Sequence, residues 1–225
     1  MKKSILILFV FCGLVAHSQR GVLELKAGSS IPMFAYASKQ LNWGCFTEPG
    51  FTVSAEANAV IWKQFGVNLL AGMQLHSVDV AVLGWETVQD DPFLDSIYTR
   101  SDPYRIIHLA IGPDYSLLVG DRLTVGLKAF AGVFFSKSPY QLYKPVYNEP
   151  GPSFYEVTPS KDISYGWGTG LDVKYKLSNC YELVLGGDYM QTEASFTFKT
   201  KTGYRIDERW ICFINVSAGL VLHLY

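Results

Sequence analysis

Apolar and polar residues alternate with a period of two along most of the chain, and that alternation predicts β-strands. The first run sets Leu23, Leu25 and Ala27 against Glu24, Lys26 and Gly28. The second sets Phe51, Val53, Ala55, Ala57 and Ala59 against Thr52, Ser54, Glu56 and Asn58, and the third Val67, Leu69, Ala71 and Met73 against Asn68, Gly72, Gln74 and His76. The fourth opposes Ile107, Leu109 and Ile111 to His108, Ala110 and Asp114, with Pro113 on the apolar face. A bulge is expected there, because proline cannot donate to a ladder. The fifth opposes Leu123, Val125 and Leu127 to Thr124, Gly126 and Lys128. In the sixth, Tyr165, Trp167, Thr169, Leu171 and Val173 alternate with Gly166, Gly168, Gly170, Asp172, Lys174 and Lys176. The seventh sets Tyr181, Leu183 and Leu185 against Glu182, Gly186 and Asp188. The eighth runs from Trp210 to Tyr225, with Ile214, Val216, Leu220 and Leu222 opposite Asn215, Ser217, Gly219 and His223.

Long and short connections alternate between these runs. Long segments span Ser30–Gly50, Val78–Pro103, Ser136–Asp162 and Gln191–Arg209; tight turns fall at Trp62–Gln64, Gly120–Arg122 and Ser178–Cys180. In an up-and-down sheet every long loop then emerges at one end and every short turn at the other, as in outer-membrane barrels. Most runs are about 11 to 15 residues, longer than the usual strand mode of about five or six and sufficient for the about 9 to 11 that a tilted spanning strand requires. Aromatics gather toward the run ends: Trp62, Phe65, Tyr115, Tyr175 and Tyr181 near the turns, Phe51, Phe135, Tyr165, Trp167 and Trp210 near the loops. Such rings favour the interfaces of a bilayer. The predicted fold is all-β, an eight-stranded antiparallel up-and-down transmembrane β-barrel with apolar faces outward. A soluble secreted calyx, with the same apolar faces inward around an apolar ligand, satisfies the alternation equally well.

The N-terminus favours export. Met1-Lys2-Lys3 precedes an apolar stretch, Ser4 to Val15, and Ala16-His17-Ser18 supplies small residues where a signal peptidase reads. Residues 1–18 are expected to be a signal peptide cleaved between Ser18 and Gln19, leaving residues 19–225 as one barrel domain. Cys12 lies inside the apolar run after bulky Phe11, which does not suit lipidation. Cleavage takes the formal charge from −1 to −3 by removing Lys2 and Lys3. No basic stripe suggests nucleic acid. Three cysteines remain; Cys45 and Cys212 fall toward the same end and could pair, and three free thiols are the alternative.

The chain resembles the small porin-like outer-membrane barrels of Bacteroidota and, in architecture, the OmpA- and OmpX-type barrels. The resemblance rests on Ala16-His17-Ser18-Gln19, Leu23-Glu24-Leu25-Lys26-Ala27-Gly28, Pro49-Gly50-Phe51, Ile111-Gly112-Pro113, Gly166-Trp167-Gly168-Thr169-Gly170-Leu171 and a terminal aromatic, Tyr225. It implies residence in a bacterial outer membrane, contact with its lipid and lipopolysaccharide, and a monomeric state. One departure stands out. The strong apolar set of the last strand, Leu220, Leu222 and Leu224, is one residue out of phase with Tyr225, so either Tyr225 turns inward or a bulge shifts the register.

Candidate chemistry is sparse. There is no phosphate loop, nucleophile elbow or helical histidine pair, and no cofactor is expected. Glu24, Lys26, Glu56, His76, His108, Asp114, Lys128, Asp172, Lys174, Glu182 and Asp188 form an inward-facing polar cluster. An eight-stranded barrel is only wide enough for its own side chains or one small ligand, so a filled lumen is expected. Acid–base use of His76 or His108 would need a partner such as Glu56, Asp114 or Asp188; a lipid-A-modifying enzyme or a small-ligand transporter is the corresponding alternative function. The leading expectation is a non-enzymatic role in envelope structure or surface recognition through the loops. The second loop is acidic, with Asp79, Glu86, Asp90, Asp91, Asp95 and Asp102 against Arg100 alone, which suits a solvated surface or divalent cations bridging to lipopolysaccharide. The third holds Tyr140, Tyr143, Tyr147, Phe154 and Tyr155 among prolines, a composition suited to a protein partner or to a cap over the barrel mouth.

Overall fold

The computed structural model describes residues 21–148, 151–200 and 203–224. The Ser18–Gln19 cleavage site, Cys12 and Tyr225 lie outside them. The elements in chain order are β1 (Gly21–Met33), a 3-10 turn (Phe34–Tyr36), β2 (Gly50–Trp62), β3 (Phe65–His76), helix α1 (Val80–Asp90), β4 (Leu94–Ser101), β5 (Tyr104–Val119), β6 (Leu123–Lys137), β7 (Gln141–Tyr147), β8 (Tyr155–Val157), β9 (Lys161–Lys176), β10 (Tyr181–Thr200) and β11 (Gly203–Leu224).

Eight strands close into an antiparallel ring in the order β1-β11-β10-β9-β6-β5-β3-β2, so each barrel strand pairs with its neighbours in sequence and β1 meets β11. Closure leaves no unpaired edge around the ring. The β1–β11 ladder runs from Gly21↔Leu224 to Met33↔Cys212 without a shift, which removes the bulge, one of the two alternatives for the last strand, from its described residues. The bulge expected at Pro113 is also absent. Pairing between β5 and β6 lapses at Gly112 and Pro113 and resumes at Asp114↔Lys128 in the same register, while β3 holds Val67 opposite Pro113. The missing proline N–H interrupts the ladder there and leaves the register intact.

The alternation places the side chains as expected. Glu24, Lys26, Glu56, Asp114, Lys128, Asp172 and Asp188 are buried inside, while Leu25, Leu109, Leu127, Leu171, Leu185 and Leu220 are about half exposed on the outer wall. Trp62, Phe65, Tyr175 and Tyr181 ring that wall near the turns. Phe51, Phe135, Tyr165, Trp167 and Trp210 ring it near the loops. Lys176 is exposed at the turn end and does not join the lumen.

Three loop segments hold more structure than expected. Residues 191–209, expected as a loop, continue the ladder from Gln191↔Cys212 to Thr200↔Gly203. The cause is visible in the residues: Ala194 and Phe196 alternate with Glu193, Ser195 and Thr197, so period two persists beyond the barrel wall. The second and third loops are joined. β4 pairs with β7, and β7 with β8, in a separate three-stranded sheet. Pro145 sits in β7 beyond the stretch that β8 covers, where its lost donor faces no partner strand. Helix α1 packs on β4. Together with the projecting β10–β11 hairpin these elements form a crown over the loop end. Among the described residues no helix is long and apolar enough to cross a membrane.

Candidate functional site

The lumen is layered. Toward the turn end lies a closed ion network. Lys128 Nζ is 2.9 Å from each of Glu56, Asp172 and Asp188. Lys26 Nζ is 2.7 Å from Glu56, 3.4 Å from Asp172 and 3.9 Å from both Glu24 and Asp188. Lys174 donates to Glu24, and Asn68 Nδ2 donates to Glu56 at 2.5 Å. The Lys26 and Lys128 side chains are 0% exposed. Removing such charges from water is costly, and only mutual attraction plus hydrogen bonding offsets it. Asp188 Oδ1 makes no well-directed hydrogen bond, yet the lysine cation lies 2.9 Å away; the Coulombic contact is what holds it.

Glycines make room for this filling. A Cβ at Gly170 would collide with Asp188 and Lys128, one at Gly186 with Asp172, and ones at Gly166 and Gly168 with the rings of Phe134 and Phe130. Among the described residues one trio of side chains could share a metal ion: Glu24, Glu56 and Asp172. Lys26 already stands against all three, so the trio is a counter-ion shell for an ammonium. The acidic loop brings no comparable trio together among the described residues.

Asp114 is buried and accepts from Ser116 Oγ at 3.0 Å. Glu182 lies at the turn end, where it pairs with His223 at 3.0 Å, apart from the central network. Among the described residues neither His76 nor His108 takes a carboxylate partner. His76 contacts the Tyr36 hydroxyl through Nδ1 at 3.1 Å and Ser30 Oγ through Nε2 at 3.0 Å. His108 Nδ1 lies 3.3 Å from Gln74 Oε1, and its ring stacks on Phe134. The carboxylate partner that acid–base use would need, Glu56, Asp114 or Asp188, is replaced by Tyr36 and Ser30 at His76 and by Gln74 at His108.

Apolar side chains also fill the lumen, both beside the histidines and toward the mouth, which the alternation did not predict. Leu70, Ile106, Phe130, Phe134, Met190, Ile211 and Phe213 point inward and are buried. Tyr36 drops into the mouth, edge-on to Tyr104 and His76, while Tyr104 contacts Phe196 and Phe213 contacts His76. These aromatics plug the mouth. Their signal was present in doublets such as Leu69-Leu70 and Phe134-Phe135, where adjacent large apolar residues force one side chain inward. The loop that delivers Tyr36 is held between Phe34 and Phe46, whose φ values of 52° and 55° lie in the left-handed region. Each costs on the order of 1–3 kcal/mol, tolerated where packing over-determines the chain.

The predicted loop contacts divide. Asp90 ends α1, Asp91 caps the turn beyond it by accepting from Phe93 N at 3.0 Å, and Asp95 lies exposed in β4. Tyr143 is buried and stacks on Tyr155 with centroids 4.7 Å apart, so it serves the cap. Phe154 is exposed, and Tyr140 and Tyr147 are half-buried. Asp79 accepts from Val82 N at 3.1 Å as the N-cap of α1 and pairs with Lys39 at 3.0 Å. That backbone bond, with the Lys39 ammonium assisting, holds its carboxyl below the usual range. All three described cysteines are free, so Cys45 and Cys212 remain separate thiols.

Between α1, the β7–β8 edge and the projecting hairpin lies a cavity of about 460 Å³. Leu41, Phe46, Leu83, Tyr104, Phe196 and Phe198 give it an apolar lining. The hairpin wall carries Lys199, Arg205, Asp207 and Arg209; Asp90 and Glu156 stand on the other elements. Arg205 and Arg209 both bond Asp207. The hydrogen bond from Arg205 is the main cause that keeps the Asp207 carboxyl below its ordinary range.

These features define an eight-stranded barrel of the outer-membrane type with a filled lumen and a folded crown. The structure is similar to that of the neisserial surface protein A, with a TM-score of 0.51 and 13% identity, covering 90% of this chain and 96% of that one. It is similar also to a major outer membrane protein from Thermus thermophilus, with a TM-score of 0.50 and 10% identity, covering 91% and 99%. At such identities the likeness is one of fold. No protein-family model and no curated protein matches the sequence.

Proposed function

We propose that the chain is an integral, monomeric protein of a bacterial outer membrane, exported by its N-terminal signal and closed to diffusion, which displays a folded crown for recognition at the cell surface. The observation that carries this reading is the sidedness of the wall: half-exposed aliphatics and two aromatic rings outside, a fully buried ion network inside. Water would penalise that outer surface, and acyl chains would not. Its first partners are therefore outer-membrane lipid and lipopolysaccharide. An envelope or extracellular protein fits the exposed crown aromatics Trp85, Phe93, Tyr98 and Phe154. The charged lumen argues against an apolar-ligand calyx, and the neutral partners of His76 and His108 argue against acid–base chemistry in the barrel.

The test is reconstitution. The mature chain is expected to fold only with detergent or lipid, to shift its electrophoretic mobility on heating, and to give no resolved conductance steps in planar bilayers. A mature chain that stays folded and dispersed in plain buffer defeats the membrane reading. Stable large openings defeat the closed lumen.

A further inference from the structure

We propose that the crown cavity is a binding site for a small amphipathic anion, an aryl- or alkyl-carboxylate, held with its apolar body on the aromatic floor and its charge against the β10–β11 hairpin. The volume of about 460 Å³ falls within the about 300–1,000 Å³ typical of small-ligand pockets. The floor supplies the apolar contact, since Phe46 and Phe196 are buried in the core beneath it and Phe198 packs on Phe196. The hairpin supplies the charge. Lys199, Arg205 and Arg209 face Asp207 alone on that wall, and Lys199 makes no ion pair among the described residues. Guanidinium groups present planar donor forks that suit a carboxylate. On the opposite side stand Asp90 and Glu156. The lining as a whole carries three cations and three carboxylates, and the positive excess is confined to the hairpin wall, where three cations face Asp207.

The cavity is a cup with a closed floor. Tyr104 and Phe196 line it and also belong to the aromatic plug of the mouth, above the histidine and ion layers. A ligand that enters from the loop end is retained there and does not proceed through the lumen. Asp207 is the specificity device. It bonds both guanidinium groups, so an incoming carboxylate competes with it, and neutralising Asp207 should strengthen binding. The site rests on the membrane reading above only for its orientation toward the exterior.

The experiment titrates 4-phenylbutyrate, 4-phenylbutan-1-ol and 4-phenylbutylamine into the mature protein in phosphatidylcholine nanodiscs, by calorimetry, with empty nanodiscs subtracted for partition. The carboxylate is expected to saturate one site at least tenfold more tightly than the alcohol or the amine. Arg209→Gln should weaken it tenfold or more, and Asp207→Asn should tighten it severalfold, with the heat-shifted mobility confirming that each variant is folded. Equal binding of the three probes, preference for the amine, or an Asp207→Asn variant that binds no more tightly overturns the site. So does a nanodisc-borne protein with no saturable heat, which leaves the membrane reading standing. A protein that nanodiscs do not take up overturns the membrane reading, and the same titration in plain buffer then decides the site by the same outcomes.

Discussion

At the scale of single residues the lumen is decided by Lys128. Its ammonium touches Glu56, Asp172 and Asp188 at once, with no access to water. Lys128→Met preserves the volume of the stem and removes the charge, leaving three carboxylates with Lys26 alone. Breaking a buried pair by removing one partner costs about 3–5 kcal/mol, because the other charge stays buried. Urea unfolding in lipid vesicles should show that loss, and a variant within about 1 kcal/mol of the parent would mean that water already reaches the network. Gly168 is a steric counterpart. Its missing Cβ is the space that the Phe130 ring occupies. Gly168→Ala should cost about 1–3 kcal/mol through overpacking. Pairing it with Phe130→Leu should recover part of that cost, because residues in contact do not add independently. Full additivity in the same unfolding series would place the clash elsewhere, at the Tyr189 carbonyl that also borders the site.

At the scale of elements, α1 depends on its cap. Asp79→Ala removes both the acceptor for Val82 N and the partner of Lys39. Losing an N-cap costs about 1 kcal/mol, so amide exchange across Val80–Asp90 should quicken about fivefold at neutral pH; Asp79→Asn, still a cap, should do less. The pH dependence has a defined sign. The folded carboxyl titrates below its unfolded value of about 3.9, so its contribution is complete above that value and disappears as pH falls through the lower, folded one. Exchange of α1 corrected for intrinsic rates should therefore match that of Asp79→Ala only in acid. The sequence made the barrel strands legible because one face meets lipid and the other a polar lumen, which yields a clean period of two. It made Glu24, Lys26, Lys128 and Asp172 legible for the same reason. It hid α1 and the β4–β7–β8 sheet, since their pattern is set by tertiary contact between two loops distant in sequence. It hid Phe196 and Phe213 as plug residues because a rule of polar-in, apolar-out has no place for apolar side chains at the mouth. It hid the strand character of residues 191–209, where polar outward residues resemble a loop until paired.

At the scale of the whole molecule the barrel carries two seals in series, and their order predicts how it can be opened. The aromatic plug of Tyr36, Tyr104, Phe196 and Phe213 closes the loop end. The network of Lys26, Lys128, Glu56, Asp172 and Asp188 closes the part nearer the turns. An eight-stranded ring has an interior about as wide as the side chains that fill it, so either seal alone suffices. Tyr104→Ala with Phe196→Ala should widen the crown cavity downward, weaken the aromatic floor and leave conductance at baseline, because an ion entering from the loops still meets the salt-bridged layer. Lys128→Ala with Asp188→Ala should likewise stay closed under the intact plug, although it loosens the lower lumen. Only the four substitutions together thin both seals at once, and planar-bilayer recordings should then show discrete openings that neither double variant produces. Steady openings from the plug variant alone would mean that the lysine–carboxylate network yields to ions, and the lumen would then be a gated channel whose gate is the crown.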